Sequence, residues 1–225
     1  MSSLIRSLKL VIAPPHPAGR PFLAGAAAAA LGGMLLGRRA RWLTRSGALF
    51  GAFCLYFFRD PERVPPARTG AVVAPADGHI VSIMLVPPPP ELDIGTEPRW
   101  RVAIFLSVLD VHVNRMPVAA TVTRIVYHEG LFLNASVDKA SDENERNALS
   151  LRLADGRDMA VVQIAGLIAR RILCDAREGD SFATGERFGI IRFGSRTDLY
   201  LPPGVEPMVA VGQTMIGGES VIAQL

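Results

Sequence analysis

At 225 residues, 49% apolar and 20% charged, the chain is long enough for one large domain with an appendage and too apolar for a disordered protein. Its two cysteines, Cys54 and Cys174, lie 120 positions apart without a CxxC pair, which excludes a disulfide framework or a cysteine-based zinc site and favours a reducing compartment. The net charge of +3 is uneven: residues 1–68 carry ten Arg and Lys against Asp60 and Glu62, a balance of +8, and the remainder carries −5.

The first part is apolar and punctuated by arginine. Phe22–Leu36 runs 15 residues without a charge and Ser46–Phe58 runs 13, with Arg38, Arg39 and Arg41 between them. A bilayer span needs about 20 apolar residues, so the pattern predicts two short helices dipping into one leaflet, their arginines at headgroup level. Basic charge that flanks apolar segments suits an anionic membrane surface, and no zinc-finger or RNA-binding signature points to nucleic acid. A cleaved signal peptide and a buried helical hairpin are the competing readings. The second apolar segment and the two-sided charge argue against the first; the absence of polar residues within the segments argues against the other. The expected boundaries are a membrane-associating segment over 1–59 and a β-rich domain over 60–225, at the cytoplasmic face of the cell membrane.

Beyond Asp60-Pro61-Glu62, where proline stops the helix, short β-branched runs are broken by Gly, Pro and Asp. Strands are predicted at 72–74, 80–86, 102–109, 118–128, 148–153, 159–165 and 190–193, with Pro87–Pro90 as an extended loop. The class is mainly β, an antiparallel sandwich or barrel. A weak repeat, Gly179-Asp180-x4-Gly185-Glu186 against Gly212-Gln213-x4-Gly218-Glu219, is a turn pattern of barrel-sandwich hybrids. The lysine of a carrier domain is missing from both copies, since Asp138-Lys139 lies elsewhere.

Four histidines are available. His16 sits in a Pro-rich segment, His79 follows a turn and His128 ends a strand. His112 lies in FLSVLDVHVNRMPV, where strict alternation puts Leu106, Val108, Asp110, His112 and Asn114 on one face, an unusual polar set for a packed core. Near the C-terminus, IIRFGSRTD offers Ser195 after Gly194. The hydrolase elbow G-x-S-x-G is not met, so the residues alone leave Ser195 as a turn residue, a nucleophile or a group the protein consumes.

The ordered blocks YFFRDPERVPP, VVAPADGHIV, FLSVLDVHVNRMP, VDKASDENERNAL and RFGSRTDLYLP, together spanning about Tyr56 to Pro202, resemble the short bacterial and archaeal phosphatidylserine decarboxylase proenzymes. That resemblance implies self-cleavage of the Gly194–Ser195 bond into chains 1–194 and 195–225 that stay associated, with Ser195 converted to a covalent pyruvoyl cofactor. It implies decarboxylation of phosphatidylserine through a Schiff base to the substrate amine, with no metal. Asp77 and His112 match the family's Asp and first His and are the expected orienter and base. Arg115 and Arg196 are candidates, by charge alone, for the substrate's phosphate or carboxylate. Long-form enzymes carry a second histidine where this chain has Arg115, so the cleavage base falls to His112, with His79 and His128 in reserve. A homodimer is a further expected partner. Two rivals are a non-enzymatic, membrane-tethered barrel-sandwich binding domain and a serine hydrolase.

Overall fold

The computed structural model of the chain describes residues 13–130, 144–166, 171–192 and 194–225. The chain divides into two compact units between Glu62 and Arg63. In the first, α1 (Arg20–Leu35) and α2 (Arg41–Phe57) are joined by a single 3-10 turn, Gly37–Ala40. The partners meet through small residues. A Cβ at Gly47 would lie 2.6 Å from the Ala30 amide nitrogen and 2.8 Å from the Ala26 carbonyl, so glycine lets the backbones approach as small residues do between membrane helices. Large apolar side chains point outward instead: Leu35 is 89% exposed, Leu49 75% and Trp42 69%. The hairpin base is closed by Asp60 N–H on the Pro14 carbonyl at 2.9 Å and His16 N–H on the Phe58 carbonyl at 2.7 Å. Among the described residues no helix is long and apolar enough to cross a membrane.

The second unit is built from thirteen strands among the described residues, consistent with the mainly β class. An eight-stranded antiparallel sheet runs in the order β12 (Thr214–Met215), β2 (Gly78–Val86), β3 (Arg99–Leu106), β11 (Ser195–Tyr200), β7 (Asp158–Ala165), β6 (Arg146–Leu153), β5 (Ala120–His128) and β9 (Ser181–Phe182). A three-stranded sheet orders β4 (Val113–Arg115), β10 (Arg187–Ile191) and β8 (Ile172–Cys174), and β1 (Ala71–Val73) pairs with β13 (Val221–Gln224). The main core gathers Val102, Ile104, Leu149, Leu151, Val161 and Leu199 from one face of the large sheet with Val72, Met116, Phe188 and Ile222 from the smaller sheets. Across the opposite face, Leu92 and Ile94 cover Ala148, Ala160, Val162, Ile164 and Tyr200.

Two sequence expectations change. The strand predicted to continue to Leu109 stops at Leu106, because Asp110 folds the chain back. Its Oδ2 accepts from the Ser107 amide at 2.8 Å and hydroxyl at 2.7 Å, a local side-chain turn that competes with the ladder. The run predicted to end at Phe193, which lies outside the described residues, instead ends at Ile191. Ser195, for which a turn is one of the readings open from the residues alone, begins β11. This strand is buried along its whole length despite reading Ser-Arg-Thr-Asp. Its edges are paired by β3 and β7, and the two hydrophobic clusters take Leu199 on one face and Tyr200 on the other. Arg196 and Asp198 neutralise one another with Nε to Oδ1 at 2.6 Å and a second NH2 bond to Oδ2 at 2.8 Å.

The repeat is structural in both copies. Asp180 Oδ2 accepts from the Arg177 amide and Gln213 Oε1 from the Ala210 amide, at 2.8 and 2.9 Å, and the paired glycines of each copy all have positive φ. Each copy frames a two-residue strand, β9 or β12. The block VDKASDENERNAL, with Asp138-Lys139, lies outside the described residues up to position 143.

Candidate functional site

Four chain segments converge on the Gly194–Ser195 bond. Ser195 sits at the end of β11, directly opposite Leu106 on β3 and Ala165 on β7. Gly194, just outside the ladder, has φ +72°, a left-handed conformation that favours glycine. The ladder nevertheless reaches past the strand end, since the Gly166 amide donates to the Gly194 carbonyl oxygen at 3.1 Å. That oxygen belongs to the peptide bond before Ser195, and a backbone N–H aimed at it is the element an oxyanion site requires.

His112 approaches from the other side. It is fully buried, and its Nε2 accepts from the Gly194 amide at 3.2 Å. Its Nδ1 lies 3.0 Å from the Asp110 carbonyl. A carbonyl only accepts, so Nδ1 carries the proton, leaving the Nε2 lone pair directed at Gly194. Both contacts therefore require the same neutral tautomer. The Ser107–Asp110 turn fixes the carbonyl that sets it. The His112 backbone is held separately, its carbonyl accepting from the Ile191 amide at 3.2 Å. The Ser195 hydroxyl is fully buried and has no hydrogen-bond partner among the described residues.

The other sequence candidates fall in different places. Asp77 accepts from Arg63 at 2.8 Å and from the Gly217 amide at 2.7 Å, and Arg63 also lies 4.0 Å from Glu219. Arg115 is buried, donating from its guanidinium to the Gly185 carbonyl at 3.0 Å. The two turn copies thus hold these two residues, the first gripping Arg115 and the second gripping Asp77. Arg196, 1% exposed, lies on the face of β11 opposite Ser195 with its fork closed on Asp198. His79 is exposed on β2, and His128 lies 3.3 Å from Glu91. Of these three histidines, His112 is the one in contact with Gly194.

A cleft of about 740 Å³ opens on the Arg196 face, lined among others by Met84, Arg101, Arg146, Asp198 and Tyr200. Burial first, and the Asp198 charge second, push the Tyr200 phenol up to about 12, so it stays a neutral donor at physiological pH. Ser195 does not line this cleft. Sequence reasoning missed Gly166, because a backbone donor leaves no residue signature, and it missed the Asp110 carbonyl for the same reason.

The sequence model of the phosphatidylserine decarboxylase family matches residues 50–223. The chain is 71% identical to a Gluconacetobacter diazotrophicus protein over 224 residues, covering 99% of this chain and all of the relative. It is 62% identical to a Gluconobacter oxydans protein over 224 residues, with the same coverage, and 51% identical to a Mycobacterium marinum protein over 222 residues, covering 99% and 91%. All three relatives are named phosphatidylserine decarboxylase proenzyme.

Proposed function

Because the chain belongs to the phosphatidylserine decarboxylase family, we propose that it makes its own pyruvoyl cofactor by breaking the Gly194–Ser195 bond and then works as a membrane-bound carboxy-lyase. Decarboxylation of phosphatidylserine follows from the family itself, and it sets aside the binding-domain and hydrolase readings. The observation that carries the self-cleavage reading is the pairing of His112 Nε2 with the Gly194 amide at 3.2 Å and of the Gly166 amide with the Gly194 carbonyl at 3.1 Å. A lone pair and an oxyanion donor are thereby set on the two ends of one residue, Gly194, next to a buried hydroxyl without a partner among the described residues.

In this reading His112 takes the Ser195 hydroxyl proton as Oγ adds to the Gly194 carbonyl carbon. The Gly166 amide stabilises the oxygen that becomes negative. Collapse breaks the Gly194 C–N bond, protonates the Ser195 nitrogen and leaves Gly194 as an ester on Oγ. Removal of the Ser195 Cα proton expels the Gly194 carboxylate, and water then replaces the nitrogen, which leaves as ammonia. The bonds balance without an oxidant or a metal. Once formed, the pyruvoyl group supplies an electrophilic ketone and a sink for the electrons released with CO2. His112 remains beside it to return a proton to the substrate carbon. Asp77 acts at one remove, anchoring the second turn copy through Gly217 and Arg63.

Intact-mass measurement of the purified wild-type protein tests the reading. Two species, 1–194 and 195–225, are expected, the shorter lighter by one ammonia than a serine-initiated peptide. A single full-length mass from active protein would end the proposal.

The hairpin supports attachment to the cytoplasmic face of the cell membrane. Its outward side chains are apolar, and Arg38, Arg39, Arg41 and Arg45 cluster at its turn, a combination that binds anionic bilayers. The protein is expected to float with phosphatidylglycerol-containing vesicles and to do so less as salt rises. Failure to float with either anionic or zwitterionic vesicles would sink this assignment.

A further inference from the structure

The strands around Ser195 sort their side chains by charge. On one face of β3, β11, β7 and β6 lie Arg99, Arg101, Arg146, Arg152, Asp158, Arg196 and Asp198; the other face of the same strands carries no charged residue. That neutral face is apolar except for Ser195, Thr197, Gln163 and Asn147, which sit together. Thr197 is directly opposite Gln163 on β7, and Gln163 is directly opposite Asn147 on β6. Directly opposed residues share a face within about 5 Å.

Asn114 joins this group from β4, two residues beyond His112. A chain of amides fixes it: Asn147 Nδ2 donates to Gln163 Oε1 at 2.9 Å, and Gln163 Nε2 donates to Asn114 Oδ1 at 2.8 Å. The direction of both bonds leaves Asn114 Nδ2 as the outward end of the relay. Asn114, Gln163, Ser195 and Thr197 are all fully buried. Yet Asn114 Nδ2, Thr197 Oγ1 and Ser195 Oγ have no hydrogen-bond partner among the described residues. Buried polar groups in folded proteins are otherwise paired, and an amide held rigidly with its donor end free is a binding element.

We infer that Asn114 Nδ2 and the Thr197 hydroxyl form an uncharged donor pair that takes the carboxylate of the substrate's serine headgroup beside position 195. The inference rests on the self-cleavage reading, because scission frees Gly194 and opens this closed face. Two donors and no cation suit a carboxylate that must leave as neutral CO2. An arginine there would stabilise the charged ground state more than the transition state, in which that charge is moving away, and would slow the reaction. Neutral donors orient the group with a smaller penalty of that kind. The product headgroup lacks the carboxylate and is released with these donors unmatched. Gln163 and Asn147 act through Asn114 and are positioning residues.

The test uses the mature protein and two soluble headgroup probes that lack the reacting amine: glycerophospho-3-hydroxypropionate, which keeps the carboxylate, and glycerophosphoethanol, which does not. Calorimetry should show the wild type binding the carboxylate probe more tightly. Thr197→Val, isosteric but without the hydroxyl, should lose roughly five- to tenfold of that affinity, leave the ethanol probe unchanged and still split at 194–195 by mass. Thr197→Ser should retain wild-type affinity, and Asn114→Ser should behave as Thr197→Val does. Equal loss for both probes, no loss for either, or a Thr197→Ser variant as weak as Thr197→Val would overturn the assignment. So would an unsplit Thr197→Val chain, which would put Thr197 in the cleavage step. An unsplit wild type would instead refute self-cleavage, and this inference with it, before any probe is added.

Discussion

Ser195→Ala is expected to remain a single chain of 225 residues and to release no CO2 from phosphatidylserine. The substitution removes the only atom that can add to the Gly194 carbonyl from position 195. It also leaves no route to a ketone there, so the loss is complete rather than partial. Folding should survive. The hydroxyl is fully buried without a partner among the described residues, and leaving such a group unsatisfied costs about 1–3 kcal/mol. Alanine fits the same space and removes that cost, so the variant should melt at or above the temperature of an unprocessed wild-type chain. Mass spectrometry and a CO2-release assay read the outcome together. Any turnover by a pure, uncleaved alanine variant would refute the role given to Ser195.

His112→Gln is expected to slow self-cleavage by roughly 10²- to 10⁴-fold, the range for losing a positioned base. Glutamine can still accept from the Gly194 amide, so backbone geometry at the bond is preserved while the basic lone pair is not. The His112 backbone is tied to Ile191 independently of its side chain, which separates chemistry from folding. A gel time course after synthesis measures the effect, and hydroxylamine treatment divides it. If the acyl shift itself fails, the intact chain resists hydroxylamine; if only the elimination fails, an ester accumulates and hydroxylamine cuts it. Splitting at the wild-type rate would remove His112 from the mechanism and reopen the question for His79 and His128.

The sequence made some of this legible and concealed the rest for identifiable reasons. The mainly β class and the two short N-terminal helices came from hydropathy period and segment length, which burial patterns obey directly. His112 and Ser195 could be singled out because their side chains carry the chemistry. β11 was not legible as a strand. Its charged residues, Arg196 and Asp198, satisfy one another on a single face, and that pairing becomes apparent only when β3 and β7 flank the strand. The strict alternation expected through Leu106 to Asn114 fails at the Ser107–Asp110 turn, and only Asn114 of its polar set lies on a strand, β4, with His112 just before it. Gly166 and the Asp110 carbonyl contribute main-chain atoms, which every residue possesses, so no pattern of residue types could have picked them out. The arginines show the converse. Arg115 and Arg196 were noticed for their charge, but each is engaged within the fold, one by the Gly185 carbonyl and the other by Asp198.

The placement of β11 has a consequence for the life history of the molecule. Under the proposed scission before Ser195, β11, β12 and β13 would be the strands of a separate 31-residue peptide. One of its strands runs through the middle of the large sheet between β3 and β7, and the others pair with β2 and β1. Although β12 lies at an edge of that sheet, β11 is paired on both sides, so the two pieces would remain together as long as the sheet does. Once the sheet is melted, however, the pieces diffuse apart, and reassembly becomes a bimolecular event in which a short polar strand must find a slot between two partners. The intact precursor pairs the same strands within one chain. If the chain cuts itself as proposed, folding is available to it once, before scission, and the finished enzyme would persist by the slowness of its unfolding rather than by its ability to start again.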